Sequence, residues 1–392
     1  RRQFWNMLRR IPLTATTTTS RRMSTTRPGT SWATSTVLLH ADGAKEVKYS
    51  HAADVAAPIG VSTTFERFEG GPDAHVYSRS TAPTRSRCES VLSALESGDA
   101  VEARATLFSS GLSAVHAALS ALLKDSRRVL IAGGYHGTHD VLRELGCAVA
   151  PLRLDELRDG DVCWLESPKN PTGELADVEA FAEKAKTLKN CNVVVDATLA
   201  PLQRPLERGA RLVVHSGTKY LAGHSDCLAG VVAARADDDD LLARLMKTRA
   251  AVGTQAGSLE TWLLLRSLRT LELRVAQQTA SAAKLADWLR TRTDVVRTVH
   301  HDGHSPLAPP RGVGGVFAIE LHTEAQAKAL PGALRLFKDA TSIGGVESLA
   351  EWRRRYDDTI PPTLIRLSVG IEHVDDLIAD FTHAFSHLPS SS

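Results

Sequence analysis

Short apolar segments alternate with helical segments between residues 85 and 235, and this alternation constrains the fold more than any other feature of the chain. The apolar runs have the length and composition of buried strands and lie at residues 129–132, 162–165, 193–195, 212–215 and 228–233. The helical segments lie at residues 86–96, 113–123, 140–145 and 177–188. Strands that alternate with helices form a mostly parallel sheet with helices on both faces. We therefore expect an α/β fold.

The pattern changes after about residue 250, where a second unit begins. No Gly or Pro occurs between Gly257 and Gly303, and helical spacing continues through Leu289, so we predict a long linking helix. Strands at 315–321 and 364–369 and a helix at 374–385 then predict a smaller α+β unit. The expected domains are a tail at 1–41, an N-terminal arm with an α/β domain at 42–256, and the linking helix with an α+β domain at 257–392.

The net charge of +2 conceals a basic N-terminal segment. Residues 1–41 contain seven arginines and no Asp, Glu or Lys, so 40 basic and 45 acidic residues remain beyond them. An Arg-rich, Ser/Thr-rich and acid-poor composition is typical of an organelle transit peptide. A tail without a targeting role, or sequence upstream of a start at Met23, fits equally well. We expect a cytoplasmic protein, or a mitochondrial one if residues 1–41 are a transit peptide.

Composition argues against several classes of protein. Hydrophobic residues make up 43% and charged residues 23%, as in ordinary globular chains. No apolar stretch approaches the ~18 residues of a membrane span, and the balanced charge gives no reason to expect a nucleic-acid partner. The five cysteines form no C-x-x-C pair, which indicates reduced thiols. The H-x-x-H-D string at 136–140 lacks further ligands, so no metal site is predicted.

The segment 213–220, VVHSGTKY, is the most informative for chemistry, because a strand there ends in a small polar turn. Ser216 and Thr218 can hydrogen-bond a phosphate, and Lys219 can form a Schiff base with an aldehyde cofactor. Asp196 ends the preceding strand, where its carboxylate can hold a pyridine nitrogen protonated. Pyridoxal phosphate (PLP) enzymes require this pairing. A lone Lys after a turn is more often a solvated surface residue, so the case depends on the combination.

Two further loops at strand ends fit the same cofactor. Residues 109–113 open a helix at Ser110, Gly111 and Leu112, and free N–H groups at a helix start suit a phosphate. Residues 133–138 place Tyr135 in a Gly-rich loop, where its ring can stack on a pyridine and shuttle protons. Either segment alone is more often an ordinary loop. Their joint order along the chain favours a cofactor site.

With these motifs in place, the chain resembles the cystathionine-metabolising transsulfuration family, PLP enzymes of fold type I. The matching stretches follow the family order and include YSRSTAPTR (77–85), SSGLSAVHA (109–117), YHGT (135–138), ESPKNPTGELADV (166–178), VVVDATLAPLQRPLERGARLVVHSGTKYLAGHSDCLAGVV (193–232) and LIRLSVGIEHVDDLIAD (364–380). The resemblance implies a large, mostly parallel sheet domain of the seven-stranded type and a smaller C-terminal α+β domain.

The resemblance also implies roles for individual residues. Lys219 forms the Schiff base and moves protons, Asp196 pairs with the pyridine nitrogen, and Tyr135 stacks on the ring. Further cofactor contacts are implied for Ser110, Gly111, Leu112, Asn170, Thr198, Ser216 and Thr218. Tyr77 and Arg79 reach the phosphate of a neighbouring subunit, which implies a homodimer at least and a homotetramer as the expected assembly. The implied substrate contacts are Arg366, which pairs with the α-carboxylate, and Asn170, Thr341 and Ser342.

Several positions depart from the family pattern. Ala82 and Ala197 stand where Asn is usual. Thr341 replaces the Glu that γ-lyases and γ-synthases carry, and Ile343 replaces an aromatic residue typical of β-lyases. The interval 349–364 is short and contains three consecutive arginines at 353–355, which form either a basic mouth for an acidic substrate or a solvated face.

The expected function is a PLP-dependent carbon–sulfur lyase acting on cystathionine or a related sulfur amino acid. One alternative is a cystathionine γ-synthase joining cysteine to O-acylhomoserine. A second, motivated by Ala82, Ala197 and Thr341, is a catalytically weak PLP-binding scaffold. A nicotinamide-dependent oxidoreductase is disfavoured because no G-x-G-x-x-G follows an early strand.

Overall fold

Three β-sheets, one of them only the two-stranded β1–β2 pair, and ten α-helices organise the part of the chain described by the computed structural model, residues 26–27, 30–31, 33–44, 55–66, 75–123 and 128–390. The strands are β1 Thr26–Arg27, β2 Thr30–Ser31, β3 Ala103–Phe108, β4 Arg128–Ile131, β5 Ala148–Pro151, β6 Val162–Glu166, β7 Asn192–Asp196, β8 Leu212–Ser216, β9 Gly230–Arg235, β10 Val296–His300, β11 Val316–Leu321, β12 Lys338–Asp339, β13 Leu349–Trp352 and β14 Leu364–Ser368. The helices are α1 Thr34–His40, α2 Pro83–Glu96, α3 Gly111–Leu122, α4 His136–Glu144, α5 Val178–Lys186, α6 Asp239–Val252, α7 Ser258–Leu268, α8 Leu271–Thr291, α9 Glu324–Ala333 and α10 Val374–Phe385.

The larger sheet has seven strands in the order β3-β9-β8-β7-β6-β4-β5. Strands β5, β4, β6, β7 and β8 are parallel, whereas β9 runs antiparallel to both β8 and β3. The central strands are continuous apolar runs because helices cover both faces of the sheet. Val194 and Val214 pack on one face and Val193 and Val213 on the other, as the two-residue period of a strand requires.

The predicted long linking helix is two helices, α7 and α8, which are separated at Arg269–Thr270. Thr270 has φ −117° and ψ 9°, outside the helical range. Arg274 donates from Nη2 to the Ser267 carbonyl at 3.0 Å and from Nη1 to the Tyr220 carbonyl at 2.8 Å. These charged hydrogen bonds therefore satisfy a carbonyl at the end of α7 and anchor Tyr220, the residue next to Lys219. The periodicity of the sequence does not indicate them.

The smaller sheet has five strands in the order β10-β11-β14-β13-β12 and is antiparallel except for the β12–β13 pair. Its core joins Phe317 and Ile319 of β11 to Phe381 of α10 and Leu285 of α8. Strand β13 was not recognised in the sequence analysis, yet its register places Glu351 directly opposite Arg366 of β14.

Most of the predicted tail, residues 1–41, lies outside the described residues. Its last part forms α1, and Leu38 of α1 is buried in the core beside the seven-stranded sheet. None of the helices within the described ranges is long and apolar enough to span a membrane.

Candidate active site

Glu166, Asp196 and Ser216 end three adjacent parallel strands, β6, β7 and β8. The register pairs Glu166 with Asp196 directly, and Lys219 follows β8 after a short turn. The carboxyl ends of parallel strands share one edge of a sheet, and loops there bind ligands in open α/β folds. The topology of the sheet is therefore enough to bring Asp196, Ser216 and Lys219 of the predicted site together.

Asp196 is buried and held by the residue two positions later. Its Oδ1 accepts from the Thr198 amide at 3.0 Å and from the Thr198 hydroxyl at 2.6 Å. The same hydroxyl accepts from the Ser216 amide at 2.8 Å, so Thr198 joins the ends of β7 and β8. Burial raises the pKa of Asp196, and the bonds from Thr198 oppose that shift. Within the described residues both bonds end on Oδ1, which leaves Oδ2 for a cationic ligand.

Glu166 is a site residue that the sequence analysis did not single out. Its Oε2 accepts from the Tyr135 amide at 2.7 Å, and its Oε1 accepts from the Asn170 amide at 2.8 Å. Burial, followed by repulsion from Asp196, raises the pKa of Glu166 to about 8. The carboxyl group thus fastens two loops of the predicted site. A carboxylate at the end of an apolar strand, as in ESPKNP, is the signal that could have found it.

Tyr135 precedes α4, and the residue is 40% exposed. A Cβ built at Gly137 would lie 2.7 Å from the Tyr135 ring and 2.8 Å from Leu112 Cδ2. The absence of a side chain at Gly137 therefore lets the tyrosine ring lie near the start of α3. Gly134 has φ +91°, and a Cβ there would collide with Glu166.

The start of α3 lies against Ser216. A Cβ built at Gly111 would lie 3.0 Å from the Ser216 hydroxyl oxygen. The amides of Gly111 and Leu112 are in the first helical turn, where no preceding carbonyl can accept them. Ser110 forms a capping box with Ser113, so its amide and hydroxyl are already engaged. The first-turn amides of Gly111 and Leu112 and the Ser216 hydroxyl are therefore groups that could hold an anion, with Ser110 capping the helix that carries them.

Thr218 is also engaged within the chain. Its hydroxyl donates to the Ala229 carbonyl at 3.3 Å and accepts from the Ala229 amide at 3.1 Å. These bonds tie the turn of Lys219 to the segment that leads into β9. Thr218 lines a cavity of about 640 Å³ together with Thr341 and Ser342.

Lys219 is half-buried and faces the second sheet. Its Nζ donates to the Ser342 hydroxyl at 2.8 Å. Burial, followed by the charge of Arg366, lowers the pKa of Lys219 to about 8. A lysine with this pKa is partly neutral near physiological pH and can act as a nucleophile or base. Ser342 has φ +88°, a strained conformation for a residue with a side chain and one that occurs often at functional sites.

Arg366 is 5% exposed and reaches the same serine. Its Nη2 donates to the Ser342 carbonyl at 3.0 Å and to Glu351 Oε2 at 2.5 Å, while Nη1 donates to Asn170 Oδ1 at 3.0 Å. Burial lowers the pKa of Arg366 to about 10. Asn170 and Ser342 thus lie beside Arg366. Glu351 was not recognised in the sequence, since its partner is on another strand.

Tyr77 and Arg79 lie in the arm that precedes α2. Arg79 is over the Tyr77 ring, 5.5 Å from its centroid, and the ring is 45% exposed. Arg85 donates to the Ser78 carbonyl at 2.6 Å and holds the turn between them. In the described part of the chain neither Tyr77 nor Arg79 hydrogen-bonds to Lys219, Asp196 or Arg366. Among the described residues of one chain, no hydrogen bond therefore ties these two side chains to the other predicted site residues.

The three consecutive arginines of the short 349–364 interval all have partners. Arg353 Nη1 donates to Glu351 Oε2 at 2.9 Å, and Arg354 Nη1 donates to the Ile360 carbonyl at 3.1 Å. Arg355 pairs with Asp339 at 3.1 Å. The segment is neither an open basic mouth nor simply a solvated face, because Arg353 is buried.

The H-x-x-H-D string is occupied by local contacts. His139 Nε2 lies 2.9 Å from the Gly133 carbonyl, and Asp140 pairs with Arg143. Among the residues that the structure describes, no group of three or more His, Cys, Asp or Glu side chains is placed to hold a metal ion.

Comparison with known proteins assigns the chain to a family. Residues 35–386 match the family described as Cys/Met metabolism PLP-dependent enzyme. The chain belongs to this family. Cystathionine beta-lyase MetC of Bacillus subtilis is 31% identical over 395 residues, covering 91% of this chain and 97% of the relative. Cystathionine gamma-synthase of Escherichia coli is 35% identical over 366 residues, covering 84% of this chain and 93% of the relative.

Solved structures agree with this assignment. The crystal structure of cystathionine gamma-lyase from yeast superposes with a TM-score of 0.80 at 30% identity, covering 91% of this chain and 98% of that one. The fold type I architecture and the PLP cofactor expected from the sequence are thereby confirmed. The chain is a PLP-dependent transsulfuration enzyme that acts on small sulfur amino acids.

The residues present fit the cofactor. A lysine amine, a carboxylate with one oxygen that accepts no bond from the described residues, and an aromatic ring follow the carboxyl ends of strands in the same sheet, and the start of α3 lies against Ser216 at the same edge. This approach depends on Gly111, because a Cβ at that position would lie within 3.0 Å of Ser216. These are the groups that an aldehyde, a pyridine nitrogen and a phosphate each require.

Proposed function

We propose that this enzyme is a carbon–sulfur lyase that cleaves cystathionine or a related sulfur amino acid. The observation that carries the proposal is the convergence of Lys219 and Arg366 on Ser342. Lys219 Nζ is 2.8 Å from the Ser342 hydroxyl, and Arg366 Nη2 is 3.0 Å from its carbonyl. A substrate carboxylate on Arg366 therefore brings the substrate α-carbon close to the lysine amine.

Each residue has a defined part in the proposed reaction. Arg366 binds the α-carboxylate, and Asn170 orients the guanidinium. PLP, when bound, supplies an electron sink for the carbanion at the α-carbon. Lys219 takes the α-proton as the neutral amine, which its lowered pKa makes available. Asp196 keeps a pyridine nitrogen protonated through its available Oδ2.

The bond that breaks joins carbon to sulfur, and its electron pair leaves with the sulfur. We assign to Tyr135 the role of giving the departing thiolate a proton. The nitrogen-bearing product is released and hydrolysed by water to ammonia and a 2-oxo acid. Gly111, Leu112 and Ser216 hold the phosphate throughout, with Thr198, Thr218 and Ser110 fixing the elements that carry them.

The choice between β and γ chemistry depends on the second domain. Thr341 is exposed and lines the cavity beside Ser342, so its replacement of a carboxylate changes the charge near the substrate. Ile343 is buried in the core beside the first sheet, which keeps its side chain away from the cavity. A γ-synthase joining cysteine to O-acylhomoserine is the second candidate, because a γ-synthase is among the relatives and covers most of the chain.

A substrate experiment separates the candidates. Pyruvate or 2-oxobutyrate released from cystathionine alone supports the lyase, and the identity of the 2-oxo acid distinguishes β from γ cleavage. Cystathionine formed only when O-acylhomoserine and cysteine are both present supports the synthase and contradicts the lyase. The absence of turnover across a panel of sulfur amino acids would instead support the weak scaffold.

We also propose a homodimer as the minimal active unit and a homotetramer as the assembly. Support comes from the exposed arm, in which Val61 is 78% and Tyr77 is 45% exposed and Arg79 lies over the Tyr77 ring. Light scattering measures the mass. Mixing Lys219→Ala subunits with Arg79→Ala subunits tests shared sites, since hybrids should recover activity only if each site draws on two chains.

For location we propose the cytoplasm, or the mitochondrion if residues 1–41 act as a transit peptide. The support is the contrast between seven arginines in that segment and the acidic excess beyond it. Fusing residues 1–41 to a fluorescent protein and imaging its distribution decides between the two.

A further inference from the structure

A buried carboxylate lies between two arginines at the substrate end of the site. Glu351 is 1% exposed, Arg366 is 5% exposed and Arg353 is 8% exposed. Arg366 Nη2 donates to Glu351 Oε2 at 2.5 Å, and Arg353 Nη1 donates to the same oxygen at 2.9 Å. Strand pairing sets this geometry, because Glu351 is directly opposite Arg366.

The hydrogen-bond capacity of Arg366 limits how a substrate can bind. A guanidinium grips a carboxylate bidentately either through Nη1 and Nη2 or through Nε and Nη2, so both grips require a hydrogen of Nη2. The Ser342 carbonyl and Glu351 take the two Nη2 hydrogens. A bidentate substrate carboxylate must therefore displace one of them. The Ser342 carbonyl belongs to the backbone, which leaves Glu351 as the group able to move.

Arg353 is placed to keep the displaced carboxylate paired. Glu351 Oε1 and Arg353 Nε are both buried and lack a hydrogen-bond partner within the described residues. A rotation of Glu351 away from Arg366 can bring this acceptor and this donor together. Without such a partner, the buried Glu351 carboxylate would be left unpaired when it moved off Arg366, and an unpaired buried charge has a large free-energy cost.

We propose that Glu351 is an internal competitor for the substrate carboxylate on Arg366, and that Arg353 receives Glu351 when the substrate binds. The inference rests on the proposed role of Arg366. It assigns a specificity-determining function to Glu351 of β13 and to the short segment that follows this strand. In the empty site Glu351 neutralises Arg366, and only a ligand with a well-placed carboxylate can take its position. Anions that interact only weakly with Arg366 are thereby disfavoured as ligands.

Binding of pentanoate to the holoenzyme tests the competition directly. Pentanoate carries a carboxylate and no amino group, so it probes Arg366 without reacting. Glu351→Gln keeps an oxygen where both arginines donate and removes only the charge. We expect calorimetry to show pentanoate binding about three- to tenfold tighter, with KM for the amino-acid substrate lowered in proportion and kcat changed less. Equal or weaker binding would show that Glu351 merely orients Arg366 and would overturn the proposal.

Arg353→Met provides the second arm. It removes the receiving group, so Glu351 should remain on Arg366 and weaken pentanoate binding about three- to tenfold. In the double variant with Glu351→Gln this loss should disappear. Arg355→Met, which breaks the more exposed pair with Asp339, is the matched control and should leave binding unchanged.

Two further measurements keep the outcome clear. Arg366→Leu should abolish pentanoate binding, and unchanged binding in that variant would place the anion elsewhere and overturn the proposal. Thermal midpoints of all variants exclude loss of fold. The expected pentanoate pattern without turnover of any sulfur amino acid would contradict the proposed lyase and still support the competition at Arg366.

Discussion

The two ends of the site hold their charged groups in opposite ways. At the edge of the seven-stranded sheet, the hydrogen bonds that Glu166 and Asp196 accept from described residues come from amides and a hydroxyl, and burial raises both pKa values. At the five-stranded sheet, Arg366 has an ionic partner in Glu351. The first region is organised to receive a cationic cofactor group. The second is already neutralised and must exchange a partner to bind substrate.

The largest effect is expected at Lys219. Replacing it with Ala removes the amine that donates to the Ser342 hydroxyl, so turnover should fall by about a thousandfold or more and the visible absorbance of bound PLP should be lost. Steady-state kinetics and an absorption spectrum measure both. Lys186→Ala, in an exposed pair with Glu183, should change neither. Retained absorbance in Lys219→Ala would break the assignment of the cofactor end.

Loss of the bidentate grip at Arg366 should have the next largest effect. Arg366→Lys keeps a positive charge but cannot bind a carboxylate through two nitrogens, so KM should rise about 10–100-fold with a smaller change in kcat. Kinetics over a range of substrate concentrations separate the two parameters. Arg208→Lys, which pairs with Glu179 at the surface, is the control. A fall in kcat alone would contradict a binding role.

Asp196 and Glu166 should differ although they are neighbours. Asp196→Asn removes the charge proposed to hold the pyridine nitrogen, so kcat should fall about 100-fold with little change in KM. Glu166→Gln leaves one of the two amides facing an NH₂ group and loosens the loops of Tyr135 and Asn170, so we expect KM to rise about tenfold. Equal effects on the same parameter would erase the proposed distinction.

A smaller effect should appear in the pH dependence of the reaction of Lys219 with PLP. Its pKa is lowered to about 8, so the neutral, nucleophilic amine predominates above pH 8. The rate at which apoenzyme takes up PLP should rise through pH 8 and level off, instead of rising toward pH 10 as for an exposed lysine. Arg366→Leu removes a cation and should shift the profile to higher pH. Because burial is the larger cause, the shift should be partial, and an unchanged profile would contradict the coupling.

Features that depend on local sequence patterns could be predicted well from the sequence. Asp196 and Lys219 each follow an apolar strand, and a parallel sheet puts such positions at one edge whatever the detailed packing. The start of α3 at Ser110–Gly111 follows from local capping. These parts depend on strand order and local hydrogen bonds, which sequence patterns report directly.

Other features depend on contacts between distant segments. In the sequence, Glu166 is only a residue at the end of a strand. Its function as an anchor depends on the paths of the two loops that contain Tyr135 and Asn170. The break between α7 and α8 depends on Arg274 reaching the Tyr220 carbonyl. No spacing along the chain encodes such bonds, because each joins groups from separate elements.

The sequence by itself therefore predicted the α/β architecture, the PLP cofactor and a site at Lys219 and Asp196, since these predictions follow from periodicity and from motifs a few residues long. Only the tertiary structure decided how Arg366 is held. The register of β13 on β14 brings Glu351 opposite Arg366, and the short segment that follows returns Arg353 to the same oxygen. A register is a property of two strands together, so neither strand's sequence alone reveals it.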